Sequence, residues 1–327
     1  METVLFLAHT EPDGSLARPA LEALAAAKAI PGTLVAGLFG AAAKPVAAKT
    51  FAVCGPEFAG SRYSTDIAAA EAIAKASGAS VIVAPHTSRT ARALPGLAHR
   101  LNGRADTHVT GIKTDGGVIA ISRWYYRQRM DAELERSERP WIILLEAGCG
   151  EPFAGELAGA LEPVSVDPGA LRTKAGGFQA PKSDQQTIRP DAELLFGAGA
   201  GWTKNQKDGQ PHLEDAGRLI LGFLHQTQAS LGSSKSLVDL SGEGQQVLPF
   251  LTHLNQVGQT GATPRHPKGL STCCHGEEPH VVGWRFIRER RAVNLDPNCG
   301  WARGKADVVY VADAFEVMAK VNALLGK

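Results

Sequence analysis

Short apolar runs alternate with alanine-rich amphipathic stretches along the first half of the chain, and few folds accept that rhythm. Runs at residues 4–8, 33–38, 50–54, 81–84, 107–112, 118–122 and 141–145 read as strands. Helical stretches at 18–29, 65–77 and 88–101 lie between them. In the first, Leu21, Leu24 and Ala25 follow the 3/4 spacing of an amphipathic helix. Ser64, Thr65 and Asp66 supply cap-type residues where the second should begin. Apolar strands separated by helices predict an α/β fold with a parallel sheet covered on both faces.

The chain has 327 residues, more than one core usually fills, so two domains are expected. Regularity fails between 148 and 190, a stretch rich in proline and glycine that ends in Pro181-Lys182-Ser183-Asp184. The expected organisation is an N-terminal α/β domain over 1–150, a linker or extended arm over 151–190, and a second α/β domain over 191–327. Residues 161–166 have period-2 character and suit a pairing arm. The second domain restarts with a strand at 193–196, a helix at 213–229 and a segment at 233–239. Further strands are expected at 270–274, 281–286, 292–294 and 308–311, before a closing amphipathic helix at 315–325. This is the pattern of a doubly wound domain.

Composition removes several function classes. Lys plus Arg total 34 against 33 for Asp plus Glu, without the basic excess that nucleic acid or membrane surfaces select. No apolar run reaches the ~18 residues of a membrane-spanning helix. Met1 leads almost directly into the apolar run at 4–8, so no targeting peptide is expected. Cys54, Cys149, Cys273, Cys274 and Cys299 are scattered and contain no CxxC pair, so reduced thiols in a cytosolic compartment are expected. Zinc and iron–sulfur sites, which favour repeated close ligand pairs, are poorly supported by that spacing. Packing is preferred over redox chemistry for Cys273-Cys274, at the end of an expected buried strand.

Three segments invite chemical readings. Gly197-Ala198-Gly199-Ala200-Gly201 follows a strand and would let a phosphate approach backbone N–H groups, but a plain tight turn is the favoured reading. Arg123-Trp124-Tyr125-Tyr126-Arg127-Gln128-Arg129 is basic and aromatic, and a strand-to-loop corner or a subunit contact suits it better than RNA stacking. Gln256-Val257-Gly258-Gln259-Thr260-Gly261 gathers amides, glycines and a hydroxyl that would hydrogen-bond a flat heterocycle or phosphate oxygens, though a turn is the alternative.

With these residues the sequence resembles, over essentially its whole length, the α-subunit family of electron transfer flavoproteins. QVGQTG at 256–261 is similar to the family's FAD-loop signature, and Gly232-Ser233-Ser234-Lys235-Ser236-Leu237-Val238-Asp239 resembles its GASRxxVD. Ala292-Val293-Asn294-Leu295-Asp296-Pro297 resembles AINxDP; Asp307 with Val311-Ala312-Asp313-Ala314-Phe315 resembles the closing AD…VADLF. In the first half, residues 19–27 and Val83-Ala84-Pro85-His86-Thr87 are also similar to that family.

The resemblance implies FAD in the C-terminal domain. Ser234, Lys235, Gln256, Val257, Gly258, Gln259, Thr260 and Gly261 would line the isoalloxazine and pyrophosphate. His275, Gly276, Glu277, Glu278, Pro279 and His280 occupy the loop the family writes SGAIQH, with His280 expected at the flavin O2 edge. A donor or positive charge there stabilises reduced, anionic flavin. Asn294 and Asp313, with Ala314 adjacent, would hold the phosphate-to-adenosine end. The resemblance further implies a heterodimer with a β subunit that carries AMP. It implies electrons from a primary flavin or iron–sulfur dehydrogenase, a quinone oxidoreductase as a further partner, and a bacterial cytoplasmic setting. The role is an electron carrier, with no catalytic acid, base or nucleophile.

Departures from the family pattern mark a divergent member. The expected arginine of GASR is Lys235, which keeps the charge but not the planar fork. The arginine expected in the glycine turn is Ala200. Glu277 and Glu278 bring charge that would lower the flavin potential unless they point to solvent. The segment 240–255 is longer than usual. Ala200 and Lys235 keep open the alternative of a flavin-poor structural subunit in a larger oxidoreductase complex. A nicotinamide-dependent dehydrogenase would need a GxGxxG with an acidic residue ~20 positions on, and none is convincingly placed.

Overall fold

The computed structural model describes residues 2–125, 130–169, 171–174, 176, 188–189, 192–239, 246–257, 266–273, 287–298 and 306–326. They belong to two compact units, Met1–Gln179 and Ala180–Lys327. Both units are α/β, the first around a large mostly parallel sheet and the second around a smaller parallel one.

In the first unit, β1 (Glu2–His9), β2 (Gly32–Gly40), β3 (Lys49–Cys54), β4 (Val81–Pro85) and β8 (Trp141–Leu145) run parallel. Helices α1 (Arg18–Ala29), α2 (Pro56–Ala59), α3 (Tyr63–Ser77) and α4 (Ser88–Arg100) follow β1, β3, α2 and β4 respectively. Side chains alternate faces along a strand, so β1 serves two cores. Val4, Phe6 and Ala8 pack with Ala20, Ala23, Leu24 and Ala27 of α1, while Leu5 and Leu7 pack with Ile67 and Ile73 of α3 and Leu94 and Leu97 of α4. The α1 positions follow i, i+3, i+4, i+7, which explains why this segment is helical. Thr87 caps α4, its hydroxyl accepting from Thr90 N at 3.2 Å while Thr90 Oγ1 accepts from Thr87 N at 3.0 Å.

The strands β5 (Arg104–Asp115), β6 (Val118–Tyr125) and β7 (Met130–Glu135) depart from the expected parallel rhythm. β5 is parallel to β8, but β5–β6 and β6–β7 are antiparallel. The reason is local: Gly116 and Gly117, at φ +55° and +86°, close a two-residue turn between Asp115 and Val118 that only antiparallel strands accept. β7 reads MDAELE, a charged edge strand without the apolar run that would announce it. Arg123 and Trp124, first members of the basic aromatic cluster, are structural: Arg123 pairs with buried Asp106 at 2.9 Å, and Trp124 is buried. Tyr126 to Arg129 lie outside the described residues. β9 (Ala160–Pro163) pairs in parallel with β3, and Val164 N continues that edge by donating to Ala52 O at 2.7 Å.

The second unit contains β10 (Leu194–Ala198), α5 (Leu213–Thr227), β11 (Ser230–Ser233), α6 (Lys235–Asp239), β12 (Lys268–Thr272), β13 (Glu289–Asn294), β14 (Val308–Val311) and α7 (Ala314–Leu325). Its described strands are all parallel in the order β11-β10-β12-β13-β14. Leu219, Ile220, Phe223 and Leu224 of α5 pack with Met318 of α7, Phe196 and Val293 on one face of the sheet. Leu195, Val257, Ile287 and Ala292 form a smaller cluster. β11 reads SLGS, too short and polar to be legible as a strand, yet all four residues are buried. The strand expected at 281–286 lies outside the described residues. No described helix is long and apolar enough to cross a membrane.

Candidate functional site

Parallel strands put all their carboxyl ends on one edge, and in the second unit those ends are Ser233, Ala198, Thr272, Asn294 and Val311. The order places the topological switch between β10 and β12, where open α/β sheets bind ligands. The glycine turn leaves β10 at this point. Gly199 N donates to Thr272 O at 2.8 Å and Gly201 N to Cys273 O at 3.0 Å. These two donors therefore fasten the turn to the end of β12 instead of facing a phosphate. Trp202, fully buried, donates through Nε1 to Thr272 Oγ1 at 2.8 Å, and its ring lies 4.6 Å from that of Phe315 at the start of α7. The turn is thus anchored to β12 and α7 through one indole.

At the neighbouring strand end, two motif segments meet. Val257 N donates to Ser233 O at 3.0 Å, and Ser233 forms a parallel bridge with Gln256. Gln256 and Val257 are buried at 5% and 2% exposure, so the beginning of QVGQTG is part of the fold. Asn255 holds the approach to it: Nδ2 donates to Leu231 O at 3.2 Å, and Oδ1 accepts from Thr252 N at 3.0 Å. Ser234 caps the short α6, its hydroxyl accepting from Leu237 N at 3.3 Å. Lys235 is half exposed and pairs with Asp239 at 3.3 Å, which also meets His253 at 2.9 Å. The hydrogen bond from His253 and the charge of Lys235 lower the Asp239 pKa from its ordinary value.

A cleft of about 90 Å3 opens between the ends of β12, β13 and β14, lined in part by Lys204, Gln206, Asn294, Asp313 and Ala314. Asp313 caps α7, with Oδ1 accepting from Phe315 N at 2.9 Å and Glu316 N at 3.4 Å. Asn294 is 4% exposed, and its Oδ1 accepts from Asp296 N at 3.4 Å. Beyond the cleft a hollow of about 350 Å3 is lined by Asp208, Asp215, Asp313 and Glu316, with Lys207 among them. Glu316 and Asp313 raise the Lys207 pKa above its usual value. That hollow is too acidic to attract phosphate; among the described residues, the cation of the cleft itself is Lys204.

The buried polar atoms provide a test of whether a ligand fits. Asn294 Nδ2 and Ser233 Oγ are buried without a hydrogen-bond partner among the described residues, at the ends of β13 and β11. Buried donors are normally satisfied, so orphans on a ligand-binding edge suit a group rich in acceptors, such as a flavin dinucleotide. The cleft is smaller than the ~300–1,000 Å3 of a drug-sized site, so it accommodates one end of such a molecule.

Of the residues expected from sequence, Ser234, Lys235, Gln256 and Val257 gather around the ends of β11 and α6, while Asn294, Asp313 and Ala314 line the cleft. Gly258, Gln259, Thr260 and Gly261 lie outside the described residues, as do His275, Gly276, Glu277, Glu278, Pro279 and His280. Sequence reasoning missed Ser233 and Lys204. Ser233 adjoins Ser234 in the same motif, and Lys204 stands four residues after Ala200, where a family arginine was sought. Ala200 itself is 3% exposed and begins a short 3-10 turn, a position where an arginine would have to leave the core.

Comparison with known proteins agrees with the fold of the first unit. Residues 4–170, spanning β1 to β9, match the electron transfer flavoprotein domain. No curated protein sequence matches the chain significantly. Since the domain match covers more than half of the 327 residues, the chain belongs to the electron transfer flavoprotein family.

Proposed function

We propose that this chain is the FAD-carrying, α-type subunit of an electron transfer flavoprotein, working with a β-type subunit that carries AMP. When bound, FAD supplies the redox chemistry that links a primary flavin or iron–sulfur dehydrogenase to a downstream acceptor such as a quinone oxidoreductase. The observation that carries the reading is the junction of Ser233 with Gln256 and Val257, the first residues of the intact QVGQTG sequence, beside a Ser233 hydroxyl without a partner among the described residues.

Each residue then has a binding task. Asn294 Nδ2, without a partner among the described residues, offers an N–H to an acceptor on the cofactor, and Lys204 offsets phosphate charge. Asp313, a carboxylate, repels phosphate and accepts hydrogen bonds, which suits ribose hydroxyls or an adenine amino group. Gln256 and Val257 anchor the start of the motif, and Gly258, Gln259, Thr260 and Gly261 would contact the isoalloxazine and pyrophosphate. Ser234 and Lys235 border the same junction; His275, Gly276, Glu277, Glu278, Pro279 and His280 would contact the ring, with His280 as donor. No residue of the chain needs to act as acid, base or nucleophile.

A second reading, a flavin-poor structural subunit, draws on Ala200 being buried and Lys235 being paired with Asp239. The chain, co-purified with its β-type partner and reconstituted with FAD, separates the two. Stoichiometric flavin absorbance in the visible spectrum supports the electron carrier. Protein that stays colourless after reconstitution sinks that reading and leaves the structural subunit.

A further inference from the structure

The first unit contains a side-chain cluster that the flavin reading does not use. His86 and Glu146 lie at the carboxyl ends of β4 and β8, and His108 lies beside them at the register shift within β5, in the sheet order β5-β8-β4. Glu146 Oε1 is 2.8 Å from His86 Nδ1 and 2.6 Å from His108 Nδ1. The two imidazoles sit edge-on, 4.5 Å between centroids. We propose that these three residues form a binding site for a divalent first-row transition metal of the zinc class.

Donor chemistry and position both favour a cation. Two imidazoles and a carboxylate are a ligand set that suits zinc and its neighbours in the series. The carboxylate–imidazole separations fall a few tenths of an ångström short of the ~2.9–3.4 Å kept by atoms bound about 2.0–2.2 Å from one ion, a gap that small ring rotations close. The backbone holds the ligands in place. His86 N donates to Leu145 O at 2.7 Å, directly before Glu146, and Glu146 N donates to Val109 O at 2.8 Å, directly after His108. His86 and Glu146 are therefore each stitched to the strand that carries another ligand.

His108 is turned toward Glu146 by an unusual backbone. It has φ +57° within the register shift between Asp106 and Val109, a left-handed conformation that non-glycine residues adopt uncommonly. The shift re-aims one side chain, as bulges beside functional sites do. Side-chain exposure grades from 12% at Glu146 and 16% at His86 to 53% at His108, so one side of the cluster is open and water has room as a fourth ligand. Spacing rules overlook such a site, because its ligands stand 22 and 38 residues apart in sequence, on three separate strands.

The test is a zinc titration of the full chain after chelator treatment, read by calorimetry and by metal content after desalting. The site gives one zinc per chain. His108→Asn, which removes the imidazole while asparagine tolerates the positive φ, weakens binding at least about tenfold. Glu146→Gln does the same. Circular dichroism of each variant shows that the fold is kept, and a visible spectrum with cobalt(II) in place of zinc reports coordination directly. Absence of stoichiometric zinc in the wild-type chain overturns the proposal, as does equal affinity in folded His108→Asn, which would locate the metal on other histidines.

Discussion

Val257 N–H donates to the carbonyl of Ser233 at 3.0 Å, joining the last residue of β11 to the second residue of QVGQTG across 24 positions of sequence. Gly232 makes that approach possible. A Cβ at 232 would stand 2.6 Å from Val257 Cγ2 and 3.2 Å from Leu195 Cδ1, inside a packed core.

Gly232→Val should therefore push the QVGQTG segment away from β11. Overpacking of this kind costs about 1–3 kcal/mol. The expected outcome is a lower melting temperature together with reduced flavin content per chain after FAD reconstitution. A variant with normal flavin content would separate the junction from cofactor binding.

Asn294 offers a test in which stability and binding move in opposite directions. In the ligand-free chain its Nδ2 is a buried donor without a partner among the described residues, a situation that costs about 1–3 kcal/mol. Asn294→Leu removes that cost, so the free protein should melt at the same or a higher temperature. FAD affinity should fall about three- to tenfold, the equivalent of one hydrogen bond of ~0.5–1.5 kcal/mol. Differential scanning calorimetry without FAD and a fluorescence titration with it give both numbers. Lys204→Ala should weaken FAD binding more at low salt than at high, because its contribution is a screened surface charge.

How much of this was legible in sequence follows from what each element depends on. The stretch 18–29 is a helix because Ala20, Ala23, Leu24 and Ala27 carry its period locally, and the strand at 141–145 is an uninterrupted apolar run. β7 and β11 escaped because their identity comes from pairing: MDAELE is a strand only beside β6, and SLGS only beside β10. The hairpin at Gly116-Gly117 is written in its two turn glycines, whereas the strand–helix rhythm around it carries no sign of an antiparallel pair. In the site, motifs located Asn294 and Asp313, whereas Lys204 enters through the shape of the cleft, which no linear pattern encodes. His86, His108 and Glu146 meet only through strand order.

Arg89 ties the start of α4 to α2 and α3 in the first unit. It is 8% exposed and reaches Asp66 Oδ1 through NH2 at 2.7 Å and Nε at 3.1 Å, and also donates to Phe58 O at 2.6 Å and Ala59 O at 3.1 Å. A lysine keeps the charge but cannot span the carboxylate and two carbonyls at once. Arg89→Lys should destabilise the chain by about 1–3 kcal/mol through unsatisfied buried acceptors, seen as a lower urea midpoint. Arg92, which touches the same carboxylate from a more exposed position, should matter less when replaced by lysine.

Asp106 carries the pH dependence that the structure states most clearly. Its side chain is fully buried and accepts from Arg123 and Arg136 and from Trp141 Nε1 at 2.9 Å. Burial is the largest single influence and acts to raise its pKa, but Arg136, Trp141 and Arg123 together outweigh it and hold the carboxyl below its usual value. A depressed folded-state pKa means the stabilisation is fully present above the unfolded carboxylate value of about 3.9 and is lost as pH falls through the lower folded value. Asp106→Asn removes the charge while the two arginines stay partly buried, so at neutral pH it should cost about 3–5 kcal/mol, as expected for breaking a buried pair. The difference between wild type and variant, followed by urea unfolding across a pH series, should be constant near neutrality and shrink only below pH ~4. A gap that stays the same down to acid unfolding would mean that the Asp106 charge is not what holds β5, β6 and β8 together.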